Sequence, residues 1–269
     1  MSNPKQTLRG NGQFRVTVNT LRTPLVAKTV EIMARRLKEQ GITLIDWEPE
    51  QRRGENTDVI LDCGAGIGAE GFAISRTDAA QRPTWRITGN EDRGLLYGVG
   101  KFLRGCHFMN DAAKADGGWC YCGETGTWCP KLPVRGMYFA THFHNFYHDA
   151  PFGEVERYVE DLALWGCNAL SVWFDMHHYA GIQDPAAQAM IARLHAILKA
   201  ANAVGIGAGL TTLANEAYHT SPEALRAEPF PHHYRVEICP SKPEGLDLIL
   251  KWRQEMLAAF ADLAIEYLW

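Results

Sequence analysis

The sequence predicts an α/β protein in two parts: a small N-terminal α+β sandwich domain, residues 1–130, then an incomplete (β/α)8 barrel of about four strand-helix units, residues 131–269. Three observations lead there. Apolar positions switch repeatedly between period 2 and period 3.6. Residues 111–133 turn to Gly, Cys, Trp, Thr and Pro without a period, which reads as a connecting segment with a boundary near Lys131. A complete barrel takes about 250 residues, whereas 269 minus 133 leaves 136, half of one.

In the first part, Phe14, Val16 and Val18 alternate with polar residues as in a half-buried strand. Thr23 can cap a helix opened by Pro24, which presents Val26, Val30, Met33 and Leu37 on one face and stops at Gly41. Strands are expected at 42–47, 58–61, 71–76 and 84–88, and a second helix from Arg93 to about Phe108. That helix carries Gly94, Gly98 and Gly100, each costing about 1 kcal/mol relative to alanine in a helix interior. Gly94 and Gly98 share a face, so close approach of the helix to the sheet is the expected reason. Gly64-Ala65-Gly66-Ile67-Gly68 is a glycine-rich turn and no dinucleotide fingerprint, because a strand pattern follows it where the fingerprint needs a helix.

In the second part, strands are expected at 135–143, 169–174, 206–213 and 265–269. Between them lie helices at 154–165, at 185 to about 204 capped by Asp184, and a third with a Ser241/Glu244 capping box. Leu246, Ile249, Leu250, Leu257 and Phe260 are expected on its inward face. Such alternation means parallel strands. The last strand runs into Trp269 without a polar tail, so the chain is expected to be truncated or to pair its open edge with something else.

Composition narrows the function. There are 27 Lys and Arg against 31 Asp and Glu, a net charge of −4, and the pI is near 6.2, so no basic surplus exists for a nucleic-acid partner. No segment reaches the roughly 20 apolar residues of a membrane span, and residues 1–20 lack the apolar core of a signal peptide. A cytoplasmic protein with no membrane association is expected. Seven cysteines, an odd number, read as reduced thiols. Cys120, Cys122 and Cys129 have poor spacing for zinc.

Chemistry in a parallel strand-helix array sits at the carboxyl ends of the strands. These are polar: Thr141-His142-Phe143-His144-Asn145, then Asp175-Met176-His177-His178-Tyr179, then Asn215-Glu216-Ala217-Tyr218-His219. Imidazole, carboxylate and amide groups bond sugar hydroxyls while aromatic rings stack on sugar faces. Asp175 and Glu216 offer two carboxyl groups of the kind glycoside hydrolysis uses, but helix capping or a salt bridge is the expected role. His142 and His144, two apart on an expected strand, have the spacing of a metal-dependent hydrolase, the rival reading. Hydrogen-bonding histidines, with no metal and no cofactor, are the expectation.

The residues as a whole resemble glycoside hydrolases of the β-N-acetylhexosaminidase and α-glucuronidase type. Residues 71–76, 85–89 and Gly94-Leu95-Leu96-Tyr97-Gly98 look like the end of their small domain. Arg135-Gly136 looks like the opening of their barrel, Asn168-Ala169-Leu170 like its second strand, and Cys239-Pro240-Ser241-Lys242-Pro243-Glu244 like the lead into the helix before strand four. The resemblance implies that Arg135 binds substrate hydroxyls and that the adjacent catalytic Asp and Glu follow strand four, where this sequence ends. The aspartate expected within strand one is replaced near Ala140, and His142-Phe143-His144-Asn145 is closer to the α-glucuronidase segment, which puts hexosamine specificity in question. A guanidinium at Arg135 suits a planar carboxylate or a pair of hydroxyls.

The expectation is therefore a fragment of a carbohydrate-active hydrolase that cleaves O-glycosidic bonds of an amino sugar or uronic acid glycan in the complete protein. Substrate-binding groups are Arg135, His142, His144, Asn145, Asp175, His177, His178, Asn215 and Glu216, with the catalytic residues unassigned. A non-catalytic carbohydrate-binding protein is the third reading.

Overall fold

The computed structural model describes residues 12–47, 57–78, 83–109, 118–228 and 234–268, without the side chains of Trp47, Met109 and His142. The chain divides into two compact units: Met1–Pro133 with Glu160–Gly166 and Ala203–Gly205, and Val134–Val159 with Cys167–Asn202 and Ile206–Trp269.

The first unit holds strands β1 (Gln13–Val18), β2 (Thr43–Trp47), β3 (Val59–Cys63), β4 (Phe72–Thr77) and β5 (Thr84–Gly89), with helices α1 (Pro24–Lys38) and α2 (Asp92–Gly105). Thr23 caps α1, its hydroxyl accepting the Val26 N–H at 3.2 Å, and Val26, Val30, Met33 and Leu37 are buried. Gly41 leaves the helix with φ 73°. The glycines of α2 pack as their spacing suggests. A Cβ on Gly94 would lie 2.2 Å from the Gly71 carbonyl oxygen, and one on Gly98 would lie 2.6 Å from the Ile87 side chain. Asn90 Oδ1 accepts the N–H groups of Gly66 and Ile67, securing the glycine turn between β3 and β4.

Helix α2 ends earlier than expected. Cys106–Met109 is strand β6, antiparallel to β7 (Gly118–Tyr121). A four-residue apolar run fits either period, and the partner strand that decides the matter lies in the segment read as a linker. The same segment contributes β8 (Gly126–Trp128), which pairs antiparallel with β4 and completes a sheet of order β2-β1-β3-β5-β4-β8. Phe14, Trp85, Phe102, Trp119 and Tyr121 form an aromatic core, with Phe102 and Tyr121 stacked at 4.6 Å and Phe14 4.4 Å from Trp119.

The second unit is a four-stranded parallel sheet of order β12-β11-β10-β9: β9 (Gly136–Phe139), β10 (Ala169–Trp173), β11 (Gly207–Thr211) and β12 (Ile265–Leu268). Helices α4 (Phe152–Leu164), α5 (Pro185–Ala203) and α6 (Pro243–Ala258) connect them in the strand-helix rhythm of a partial barrel, and the short α3 (Phe146–Asp149) follows β9. Asp184 caps α5, accepting the Ala186 N–H at 2.9 Å.

Three local expectations fail here. Strand β9 stops at Phe139, and Thr141–Phe143 is a 3-10 turn, because Thr141 Oγ1 donates to the Trp173 carbonyl and Asn145 folds back to bond the Ala140 carbonyl. The Ser241/Glu244 capping box does not form: Lys242 is the cap residue of α6, no side chain caps it, and Pro243 opens the helix. Leu246, Leu250 and Leu257 are exposed, while Gly245, Ile249, Met256 and Phe260 are buried. Gly245 sets this rotation, since a Cβ there would lie 2.5 Å from the Cys239 carbonyl, so the stripe through it turns inward. Ile249 then joins Ala217 and Ile238.

Among the described residues no helix is long and apolar enough to cross a membrane. None of the seven cysteines, all of them described, forms a disulfide, and Cys120 and Cys122 lie with Sγ atoms 3.5 Å apart.

Candidate functional site

The carboxyl ends of β9, β10 and β11 converge on a buried pair of carboxyl groups, Asp175 and Glu216, each 3% exposed. The chain turns at Asp175 into a 3-10 turn, Met176–His178, which sends both histidines back over it. His177 Nδ1 meets one Asp175 oxygen, and His178 Nε2 lies 3.3 Å from the other. Both Asp175 oxygens are shut off from solvent, so Asp175 is a desolvated carboxyl. Glu216 is better satisfied: it accepts the Trp173 indole N–H at 3.1 Å and the Met176 N–H at 2.7 Å, and Arg253 lies 3.9 Å away.

This difference divides the proton between them. Burial first, then the neighbouring charge of Glu216, pushes the Asp175 pKa up to about 8. Burial also raises Glu216, but its hydrogen bonds and Arg253 favour its anion. The pair thus keeps a proton near neutral pH, and the donors around Glu216 favour the anion there, the kind of environment that sets two carboxyl groups apart. Tyr138 and Tyr179 are raised to about 12, by burial and then by the Asp175 charge, so both phenols stay neutral donors. Burial, then the charges of His144 and His148, holds His178 below the usual imidazole range.

A cavity of about 450 Å³ opens beside the pair, lined by His144, His148, Trp173, Asp175, His178 and Tyr179 among others. A second, of about 540 Å³, lies along the sheet by Tyr138, Ser171, Trp173, Thr211 and Tyr267. Tyr234 stacks on His177 with ring centroids 3.4 Å apart. Hydroxyl donors, a proton-bearing carboxyl, imidazoles and aromatic faces share one rim.

The residues singled out in the sequence fall into three groups. Asp175, His177, His178 and Glu216 stand together, and His144 lines the same cavity as Asp175 and His178. Asn145 and Asn215 serve the framework: Asn145 caps α3 through the Tyr147 N–H, and the Asn215 carbonyl accepts the Ile238 N–H. Arg135 precedes β9 at the amino end of the sheet, where its N–H bonds the Asn168 side chain at 2.8 Å. Asn168 lies just before β10 and Asp175 just beyond its far end. The His142 side chain lies outside the described residues. Its strand spacing to His144 is lost, since His144 follows a 3-10 turn and takes φ 47°.

The sequence reading passed over His148, Trp173, Tyr138, Tyr234 and Arg253. His148 had a readable signal, four residues after His144. Arg253, inside α6, had none.

With this geometry in view, residues 19–102 match the family described as Glycosyl hydrolase family 67 N-terminus. No curated protein matches the chain. Among solved structures it is similar to the family 20 exo-β-N-acetylglucosaminidase of Vibrio harveyi, at 13% identity and a TM-score of 0.69, covering 96% of this chain and 43% of that one. The chitobiase of Flavobacterium johnsoniae gives 17% and 0.65, over 95% and 42%. The β-N-acetylhexosaminidase of Streptomyces coelicolor A3(2) gives 18% and 0.66, over 98% and 57%. The chain thus spans about half the length of these structures, and at such identities they speak for the fold. By its N-terminal family match and its fold, the chain is similar to glycoside hydrolases of the β-N-acetylhexosaminidase and α-glucuronidase type.

Proposed function

We propose that this chain supplies the small domain and the substrate-gripping first half of the barrel of a carbohydrate hydrolase that cleaves O-glycosidic bonds of an amino sugar or uronic acid glycan. The observation that carries this reading is the unequal, buried Asp175–Glu216 pair at the carboxyl ends of parallel strands, ringed by His177, His178 and Tyr138. A neutral Asp175 can both donate to and accept from a sugar hydroxyl, and Glu216 holds the Trp173 ring in place by its indole N–H. Trp173 and Tyr179 offer apolar faces to a pyranose ring. Bond cleavage belongs to the complete protein and its catalytic carboxylates.

The test is a titration of the chain with N-acetylglucosamine oligosaccharides and, separately, with glucuronic acid oligosaccharides, followed by tryptophan fluorescence and calorimetry. One class is expected to bind, and Asp175→Asn to weaken it at least tenfold. If both classes leave the protein unchanged at saturating concentration, the reading is wrong.

A further inference from the structure

His144, His148 and Asp149 take no part in the Asp175–Glu216 pair, yet their side chains converge. One ligand atom from each lies within 4.8 Å of the others. The local fold brings this about. The left-handed backbone at His144 turns the chain from the 3-10 turn into α3, so that residues 144 and 148 fall on one side, rings 4.4 Å apart. The His148 ring is oriented: its Nδ1 lies 3.1 Å from the Thr141 carbonyl oxygen, which can only accept, so Nδ1 carries the proton and Nε2 presents a lone pair. Nε2 is the atom that faces Asp149, with Oδ1 4.0 Å away. A backbone carbonyl on the far nitrogen of a histidine is the support that metal-binding imidazoles characteristically have. The loop itself is anchored, since Arg193 donates to the carbonyls of Tyr147 and Ala150 at 2.8 and 2.7 Å.

We propose that His144, His148 and Asp149 form a binding site for a Zn(II)-class divalent cation on the rim of the 450 Å³ cavity. Two imidazoles and one carboxylate suit zinc and its neighbours in the first transition row, whereas magnesium and calcium prefer oxygen alone. Small rotations of the side chains bring the three atoms to the roughly 2.0–2.2 Å of zinc ligation. Two of the three ligands, His144 and His148, line that cavity. The pairing is His144 with His148, four residues on, instead of His144 with His142. The site is independent of the glycan reading and stands or falls by metal binding alone.

The experiment uses the full chain stripped with a chelator and titrated with Zn(II) alone, then with Co(II) for its spectrum. One equivalent of zinc is expected, with Co(II) giving d–d bands and no thiolate-to-metal band. His148→Ala and Asp149→Asn each lower the affinity at least tenfold, while His195→Ala, at a histidine paired elsewhere with Asp262, does not. Unchanged melting temperatures of the metal-free variants show that they fold. Affinity that ignores both substitutions, that follows Asp175→Asn instead, or that brings a thiolate band overturns the proposal, as does an absence of binding.

Discussion

The two units apply the same strand and helix vocabulary to opposite ends. In the first, the sheet closes over rings: Phe14, Trp85, Phe102 and Trp119 are at most 4% exposed and touch one another, and the glycines of α2 let helix and sheet meet backbone to backbone. In the second, the helices and sheet bury an apolar layer as well, but the carboxyl ends of the strands bury Asp175 and Glu216 beside each other, whereas the carboxyls buried in the first, Asp58 and Glu160, meet the Arg15 N–H and the Arg35 and Arg36 guanidinium groups. Apolar burial at the first unit's core stabilises whatever the pH. Carboxyl burial at the second unit's rim is tolerated where a site needs poised protons. A difference of this kind marks function more sharply than the fold does, since many folds host many chemistries.

The contrast can be broken by substitution. Trp119→Ala removes the ring on which the first unit's cluster centres, and a loss of about 3–5 kcal/mol is expected in urea unfolding. A loss under about 1 kcal/mol would mean that the cluster is not the core. Asp175→Asn acts in the other direction. The folded pKa of about 8 lies above the 3.8 of a free aspartate, so the folded chain holds its proton longer than the unfolded one. Stability from this group therefore declines as the pH rises from about 4 to about 8 and is flat beyond. Asparagine removes that slope, and at about 1.4 kcal/mol per pKa unit the variant should gain on the parent by several kcal/mol between pH 4 and pH 8. Thermal melts across pH check this, and a variant that parallels the parent at every pH would show that Asp175 is ionised in the fold.

Smaller effects sharpen the comparison. Gly94→Ala forces a Cβ onto the Gly71 carbonyl, a backbone atom that cannot swing aside, and should cost about 2 kcal/mol in chemical unfolding. Thr23→Ala leaves the Val26 N–H without its cap and should cost about 1 kcal/mol, measured the same way.

The course of the backbone was legible where a local signal and a buried face agree. Thr23, Pro24 and Gly41 bracket α1, and its expected apolar face is the buried one. Asp184 and Pro185 open α5 in the same way. Strand-helix alternation was enough to foretell parallel strands β9 to β12. Short segments without a period of their own escaped. Strands β6, β7 and β8 exist because each finds a partner, and a three- or four-residue run carries too few positions to announce that. The exposed Leu246, Leu250 and Leu257 show the same limit from the other side, because Gly245 chooses which stripe of α6 turns inward.

The site divides along the same line. Polar clusters at strand ends were visible in the sequence, because parallel strands gather their carboxyl termini on one rim and apolar runs break off there into His, Asp and Asn. The sequence by itself therefore determined that Asp175, His177, His178 and Glu216 gather at one end of the sheet. Only the tertiary structure decided their roles. It placed Asp175 against Glu216, gave Glu216 donors that favour its anion, left Arg135 before the amino end of β9, and turned His144 toward His148. The reason is physical: hydrophobic period follows from the neighbours along the chain, whereas desolvation and charge depend on neighbours in space, and residues 43 apart, as Trp173 and Glu216 are, become partners only once the strands are laid side by side.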